Sequence, residues 1–164
     1  MMKKLYNLKD YTKSIIKKNI FIDNFSLSFA IGNLVAMAPI IPFQTPIAVL
    51  LSLLLKLNKP IVISTLYIVN NPFTMIPIYL INYFTGLFFT KNILSFNLSD
   101  YNPQFIIQLN NFISKYINLK DYLSGEDFCI WYLIIGGIIF PIITALIIYT
   151  TTNLILKIIS KKSI

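Results

Sequence analysis

The sequence predicts an all-α, polytopic integral membrane protein, and three observations carry that prediction. The first is composition: of 164 residues, 56% are hydrophobic and only 12% charged, whereas water-soluble domains run near ~45–50% apolar and ~25% charged. Disorder is excluded by the same figures, because disordered chains are polar and poor in aromatics and this one carries 13 Phe and 10 Tyr. The second is that Asn24 to Leu55, Pro60 to Thr90 and Phe128 to Leu156 contain no ionic residue. Each run exceeds the roughly 20 helical residues that cross a bilayer core about 30 Å thick. The third is that lysines gather at the flanks of these runs, as they do on the cytoplasmic side of membrane spans.

Residues 1–23 carry six Lys and two Asp. Lys9, Lys13 and Lys17 are spaced four apart on one helical stripe, with Leu8, Tyr11, Ile15 and Phe21 on another side. A basic amphipathic cytoplasmic segment is expected, either lying on an anionic membrane surface or serving only to fix orientation. A cleavable signal peptide is disfavoured: Ala36-Met37-Ala38 imitates a cleavage site, but the basic region is long and Pro39 follows directly.

The first apolar run, 24–55, contains Pro39, Pro42 and Pro46. Each proline removes a backbone donor and clashes with the preceding helical turn, so a straight span is not expected. The run ends at Lys56 and Lys59, and the N-terminal flank is also basic; both ends belong on the cytoplasmic side. A helical hairpin satisfies both conditions, whether re-entrant or fully crossing. The second run, 60–90, is expected to break at Asn70-Asn71-Pro72 and again at Pro77. Broken backbone at membrane depth is tolerated only where protein or a wet cavity supplies its hydrogen bonds. Paired interruptions therefore point either to a transporter-like binding site or to plain proline kinks.

Residues 91–127 hold three Lys and four acids and are the least basic interval, the expected external loop. Within it, Asn102-Pro103 reads as an N-cap with proline at the first helical position. Ile106, Leu109, Ile113, Tyr116 and Ile117 then recur at helical spacing, giving a short amphipathic helix resting on the outer surface. Residues 128–164 form the C-terminal transmembrane helix and a basic cytoplasmic tail. Trp131 and Tyr132 suit an interfacial belt, and Gly136, Gly137 and Pro141 allow close packing or a bend.

Catalytic chemistry is poorly supplied. The sequence has no His and no Arg, and its single Cys, Cys129, sits at the edge of the third run. No metal site, cofactor or catalytic group is expected, and an enzyme is the least favoured class. All six carboxylates lie outside the charge-free runs, which speaks against proton coupling through an intramembrane acid. A sequence pI near 9.5 is explained by topology, and no nucleic-acid partner is expected. Neutral polar residues remain inside the runs: Asn33, Gln44, Thr45, Asn70, Asn71, Thr74, Asn82 and Thr85. They either repair broken backbone or face a substrate.

Several stretches carry a family resemblance. Gly32-Asn33-Leu34-Val35-Ala36-Met37-Ala38-Pro39, Phe43-Gln44, Leu53 through Pro60, and Asn71-Pro72-Phe73-Thr74-Met75 with Tyr79, Tyr83 and Gly86 resemble the bacterial membrane family of domain of unknown function 2062 (DUF2062). The resemblance covers about residues 24–90. This sequence departs from the pattern at Ala36 and Pro42, where glycines are expected, and at Lys56, where Arg is commoner. It implies a multi-pass protein of the bacterial inner (cytoplasmic) membrane and carries no established biochemical activity; the lysine-rich flanks are what lead us to expect both termini on the cytoplasmic side.

The expected core is thus 24–90, with a hairpin at 24–55 and a broken helix at 60–90. Its structural breaks are expected at Gly32, Pro39, Pro42, Pro46, Pro72 and Pro77. The expected function is binding or translocation of a lipid or small anionic molecule through that core, with Gln44, Lys56, Asn58, Asn71 and Thr74 as substrate-binding positions and anionic lipid headgroups of the bilayer as partners. The alternative is a non-catalytic scaffold or anchor for an envelope-biogenesis enzyme, docking through Gly136-Gly137 or the outer amphipathic helix; the other partner expected is a second copy of the chain in a homo-oligomer.

Overall fold

The computed structural model describes residues 2–93, 103–116 and 128–162, with side chains over 20–93, 103–112 and 128–161. Among these residues the architecture is all-α. Helix α1 runs over Met2–Met37, α2 over Gln44–Leu54, α3 over Lys59–Val69 and α4 over Pro72–Phe88. A π-helical turn at Phe89–Ile93 extends α4; α5 follows at Gln104–Tyr116 and α6 at Ile130–Lys162. Three stretches are long and apolar enough to cross a membrane: Ile20–Met37, Pro72–Ile93 and Ile130–Lys161. Only 22% of the last is buried, so packing within the chain does not account for its apolarity, as is usual for a surface that meets a membrane or a partner.

The basic segment and the first hairpin arm form one continuous helix. Lys9, Lys13 and Lys17 lie outside the described side chains, so their stripe is seen only as helical backbone. Helix α1 stops at Met37 because Pro39 disfavours helical backbone at the preceding residue. The chain turns over 38–43, where the Phe43 N–H reaches the Ile40 carbonyl at 2.8 Å. Pro39 and Pro42 lie in this interruption, whereas Pro46 sits within the first turn of α2, where its missing donor removes no helical bond.

Besides Pro46, two further expected breaks are not interruptions. Gly32 lies inside α1, and it is a packing point: a Cβ there would stand 2.7 Å from the Val62 carbonyl oxygen and 2.8 Å from Thr65 Cβ on α3. Pro77 lies inside α4, which continues through it. The second run is therefore interrupted once, at Asn70-Asn71, and Pro72 opens the next helix, a position that proline's fixed φ suits.

Helices α2 and α3 contain 11 residues each, about 16 Å at 1.5 Å per residue and about half the hydrocarbon thickness. The end of α2 explains the turn between them. Lys56 has φ 53°, the Leu57 N–H donates to the Ser52 carbonyl at 2.9 Å, and the Lys56 N–H to that of Leu53 at 3.3 Å. These are the two bonds of a Schellman motif, with lysine where glycine is usual. Leu57 then turns inward and is buried.

The chain divides into two compact units. One comprises residues 1–36, 40–71 and 142–164; the other, 37–39 and 72–141. The core of the first is Val35, Ala36, Ala48, Leu57, Val62 and Leu66. Its α6 portion meets α1 through polar contacts: Asn33 donates to Thr144 Oγ1 at 3.3 Å, Asn153 to Asp23 Oδ1 at 2.6 Å, and Lys157 pairs with Asp23 at 3.5 Å.

The second unit is centred on Tyr83, Phe128, Cys129 and Tyr132. The Tyr83 ring stacks on Phe128 at 5.3 Å and meets Tyr132 edge-on at 5.8 Å, both favourable arrangements. Its hydroxyl accepts the Cys129 N–H at 3.3 Å. Helices α4 and α6 cross at glycines: a Cβ on Gly86 would lie 1.8 Å from the Tyr132 carbonyl oxygen, and one on Gly136 1.6 Å from that of Asn82.

Candidate functional site

Helix interruptions leave carbonyls without intrahelical donors on one side and N–H groups without acceptors on the other. In an apolar surround each such group needs a partner. Gln44, the first residue of α2, is buried because it serves both sides of the first interruption. Its amide nitrogen donates to the Ala36 carbonyl near the end of α1 at 3.4 Å, and its Oε1 accepts from the Asn70 side chain. Asn70 follows α3, so one side-chain hydrogen bond joins the two interruptions inside the first unit. The Asn70 backbone N–H meanwhile closes α3 on the Leu66 carbonyl at 2.8 Å. Asn70 Oδ1 is buried with no hydrogen-bond partner.

The Asn71 side chain donates to the Ile68 carbonyl at 3.0 Å, near the end of α3. Lys56 and Asn58 lie at the opposite end of α2 from Gln44, about 16 Å away by helical rise. Both are exposed, and both are held by their backbones against α1. The Lys56 carbonyl accepts from Asn24 at 3.0 Å, and the Asn58 N–H donates to Ser28 Oγ at 2.9 Å. Exposed Leu53, Leu54 and Leu55 precede them and exposed Lys59 follows. Within the first unit, then, Gln44 and Asn71 stand at one end of α2 and α3, and Lys56 and Asn58 at the other. Thr74 belongs to the second unit, half-buried in the first turn of α4.

By sequence, Asn71 is expected as a substrate-binding position and Asn70 only as one of the neutral polar residues of the runs. The structure gives the junction to Asn70. Asn82 is a second missed position: fully buried in α4, it donates to the Met37 carbonyl at 2.8 Å, and its own Oδ1 is buried without a partner. The signal was an amide in an apolar run, shared with several residues of lesser consequence. Gly136 and Gly137, expected as a docking surface, are both buried. Gly136 is occupied by α4, and Gly137 by Pro39, whose Cδ would lie 2.4 Å from an added Cβ.

Apolar helices of spanning length, with interruptions repaired by buried amides, define an all-α membrane protein. The chain belongs to the family described as Uncharacterized protein conserved in bacteria (DUF2062), whose model matches residues 11–164. The match extends on both sides of the 24–90 stretch that carries the motif resemblance. No curated protein and no solved structure matches the chain.

Proposed function

We propose that this is a non-enzymatic, multi-pass protein of the bacterial inner membrane that binds, and helps move, a lipid or small molecule with an anionic head. The observation that carries the reading is the Lys56–Lys59 turn. Two exposed ammonium groups stand beside three exposed leucines on a turn that α1 holds at Lys56 and Asn58. Cationic heads beside apolar surface suit an anionic amphiphile, which attracts lysine electrostatically while its chains cover the leucines.

In this reading both termini and the lysine turn are cytoplasmic, and the 91–127 interval is external. The hairpin 24–55 is re-entrant: α2 is half the length of a span, and its end meets Asn24 and Ser28, near the start of the apolar part of α1. Gln44 keeps the interior end of the hairpin closed onto Asn70, while Asn71 and Thr74 flank the start of α4.

The test is saturable binding and translocation in liposomes containing purified protein, using a panel of anionic phospholipids and polyprenyl phosphates. Binding that falls at least several-fold in Lys56→Gln/Lys59→Gln is expected. Wild-type protein that neither binds nor moves any member of the panel would overturn the proposal.

A further inference from the structure

Helix α2 inverts the pattern of an amphipathic helix in water: what it buries is small or polar, and what it exposes is apolar. Residues three and four apart share a helix face. Gln44, Ala48 and Ser52 form the buried face. The exposed residues of α2 are Pro46, Leu50, Leu53 and Leu54, all on the opposite face, and exposed Phe43 precedes them on the same line. Helix α3 differs, because its exposed residues are Lys59, Pro60, Ser64, Tyr67 and Ile68, two of them hydroxyl-bearing. The Tyr67 hydroxyl and Thr45 Oγ1 share a hydrogen bond of 3.1 Å across the two helices, close to the Gln44–Asn70 bond. The interior end of the α2–α3 pair is thus fastened twice, and an apolar chain is left the outer ridge of α2 rather than the cleft between the helices. The amphipathic stripe expected on α5 runs on into Ile113, Tyr116 and Ile117, which lie outside the described side chains, whereas every residue of α2 is described.

Length and charge indicate what covers the ridge. From Phe43 to Leu54 it extends about 16 Å by helical rise, close to half of a hydrocarbon core about 30 Å thick and so to the depth of one leaflet's acyl chains. Exposed Lys56 and Lys59 stand at one end, and no ionic residue lies between Asn24 and Leu55 to mark the other. An amphiphile whose anionic head meets the lysines therefore has its chain in line with the ridge. A second copy of the chain, paired symmetrically through α2 in the same membrane, would bring the same lysines toward each other, and like charges oppose that.

We infer that α2 is the chain rest of a long-chain anionic lipid: its head lies at Lys56 and Lys59, and one acyl or prenyl chain runs along Leu54, Leu53, Leu50 and Pro46 to Phe43. The inference rests on the ligand proposed for the Lys56 turn and on the re-entrant hairpin. It deepens that reading by naming the substrate class, anionic lipids whose chain reaches the depth of a leaflet, as against short-chain anions that meet the lysines alone.

The test places a single tryptophan by Leu54→Trp, Leu50→Trp or Phe43→Trp in a Trp131→Phe chain, in phosphatidylcholine vesicles holding a minor fraction of phosphatidylglycerol, with bromine on the chains of one lipid or the other. Phosphatidylglycerol brominated near the head should quench Leu54→Trp, and phosphatidylglycerol brominated near the chain end should quench Phe43→Trp. Each should do so at least several-fold beyond the same mole fraction of brominated phosphatidylcholine, and the excess should vanish in Lys56→Gln/Lys59→Gln. Equal quenching by the two lipids, with lysine-dependent phosphatidylglycerol binding intact, would mean that bulk lipid covers the ridge. Quenching by neither would mean that protein covers it, a second copy included. Either result overturns the inference and leaves the lysine-turn reading standing, whereas absence of any lysine-dependent binding overturns both. A check on the unaltered chain is photo-crosslinking to phosphatidylglycerol carrying a diazirine at the chain end: adducts concentrated at residues 41–47 are expected, and adducts concentrated on α3 or α6 would contradict the chain rest.

Discussion

The glycine crossing between α4 and α6 offers a prediction whose sign is diagnostic. In an ordinary helix interior, Gly→Ala gains about 0.8–1.0 kcal/mol of helix propensity. At Gly136 the new Cβ would fall 1.6 Å from the Asn82 carbonyl oxygen and 2.6 Å from the Gly86 nitrogen. Carbon and oxygen settle near 3.3–3.6 Å, so the two backbones must separate locally by about 1.7 Å. Neither atom can swing aside, because both are main chain. A gap of 0.5–1 Å already forfeits about a quarter to a half of the dispersion well, and overpacking costs about 1–3 kcal/mol, occasionally more. The net expectation for Gly136→Ala is a loss of up to about 2 kcal/mol, and more where the clash exceeds ordinary overpacking. Gly86→Ala meets the Tyr132 carbonyl at 1.8 Å in the same crossing, so the double variant should lose less than the sum of the singles. Reversible unfolding of purified protein in one detergent, followed through the fluorescence of Trp131, the sole tryptophan, measures all three. Stabilisation by Gly136→Ala would refute the close crossing.

Three further outcomes are expected. Lys56→Gly should raise stability by about 0.5–1 kcal/mol, because left-handed backbone costs an L-residue about 1–2 kcal/mol and glycine returns part of that as unfolded-state entropy; the same unfolding assay reads it, and lowered stability would contradict the Schellman geometry. Asn70→Leu and Gln44→Leu should each cost about 1–3 kcal/mol by depriving a buried partner of its bond, and the double variant should recover part of that loss, since replacing both partners is far milder. Lys157→Gln should cost less than about 1 kcal/mol, with the deficit shrinking in high salt, as befits a half-exposed ion pair with Asp23; a large, salt-insensitive loss would show that the pair is more sheltered than its exposure indicates.

The main elements were legible because prolines and charge-free runs are local signals. Pro39 and Pro42 mark an interruption, Pro72 starts a helix, and the lysines at 56 and 59 mark a turn, each from short-range sterics or hydration. Gly32 and Pro77 were misread for the complementary reason. Glycine's permissiveness can serve a bend or a close approach, and only the nearness of Val62 and Thr65 decides which. Proline weakens a helix without always ending it, and α4 continues through Pro77. Within the site, the amide type was readable but the pairing was not. Gln44 and Asn70 are 26 residues apart and meet only once α2 and α3 have folded back on each other. In α5 the pattern gave the helix, but that Asn110 faces the start of α6 is known only from its tertiary bond to Ile130.

The central structural claim is that two interruptions in apolar helices are tied together by the side chains of Gln44 and Asn70. The most direct measurement is crosslinking of Gln44→Cys with Asn70→Cys in native membranes, in a Cys129→Ala chain, with a short bifunctional thiosulfonate. Near-complete intramolecular crosslinking is expected, with little between Gln44→Cys and Lys56→Cys at the far end of α2. Contradiction would come from cysteines at 44 and 70 that stay uncrosslinked while each reacts freely with a lipid-soluble maleimide, for then the two interruptions would face the bilayer separately.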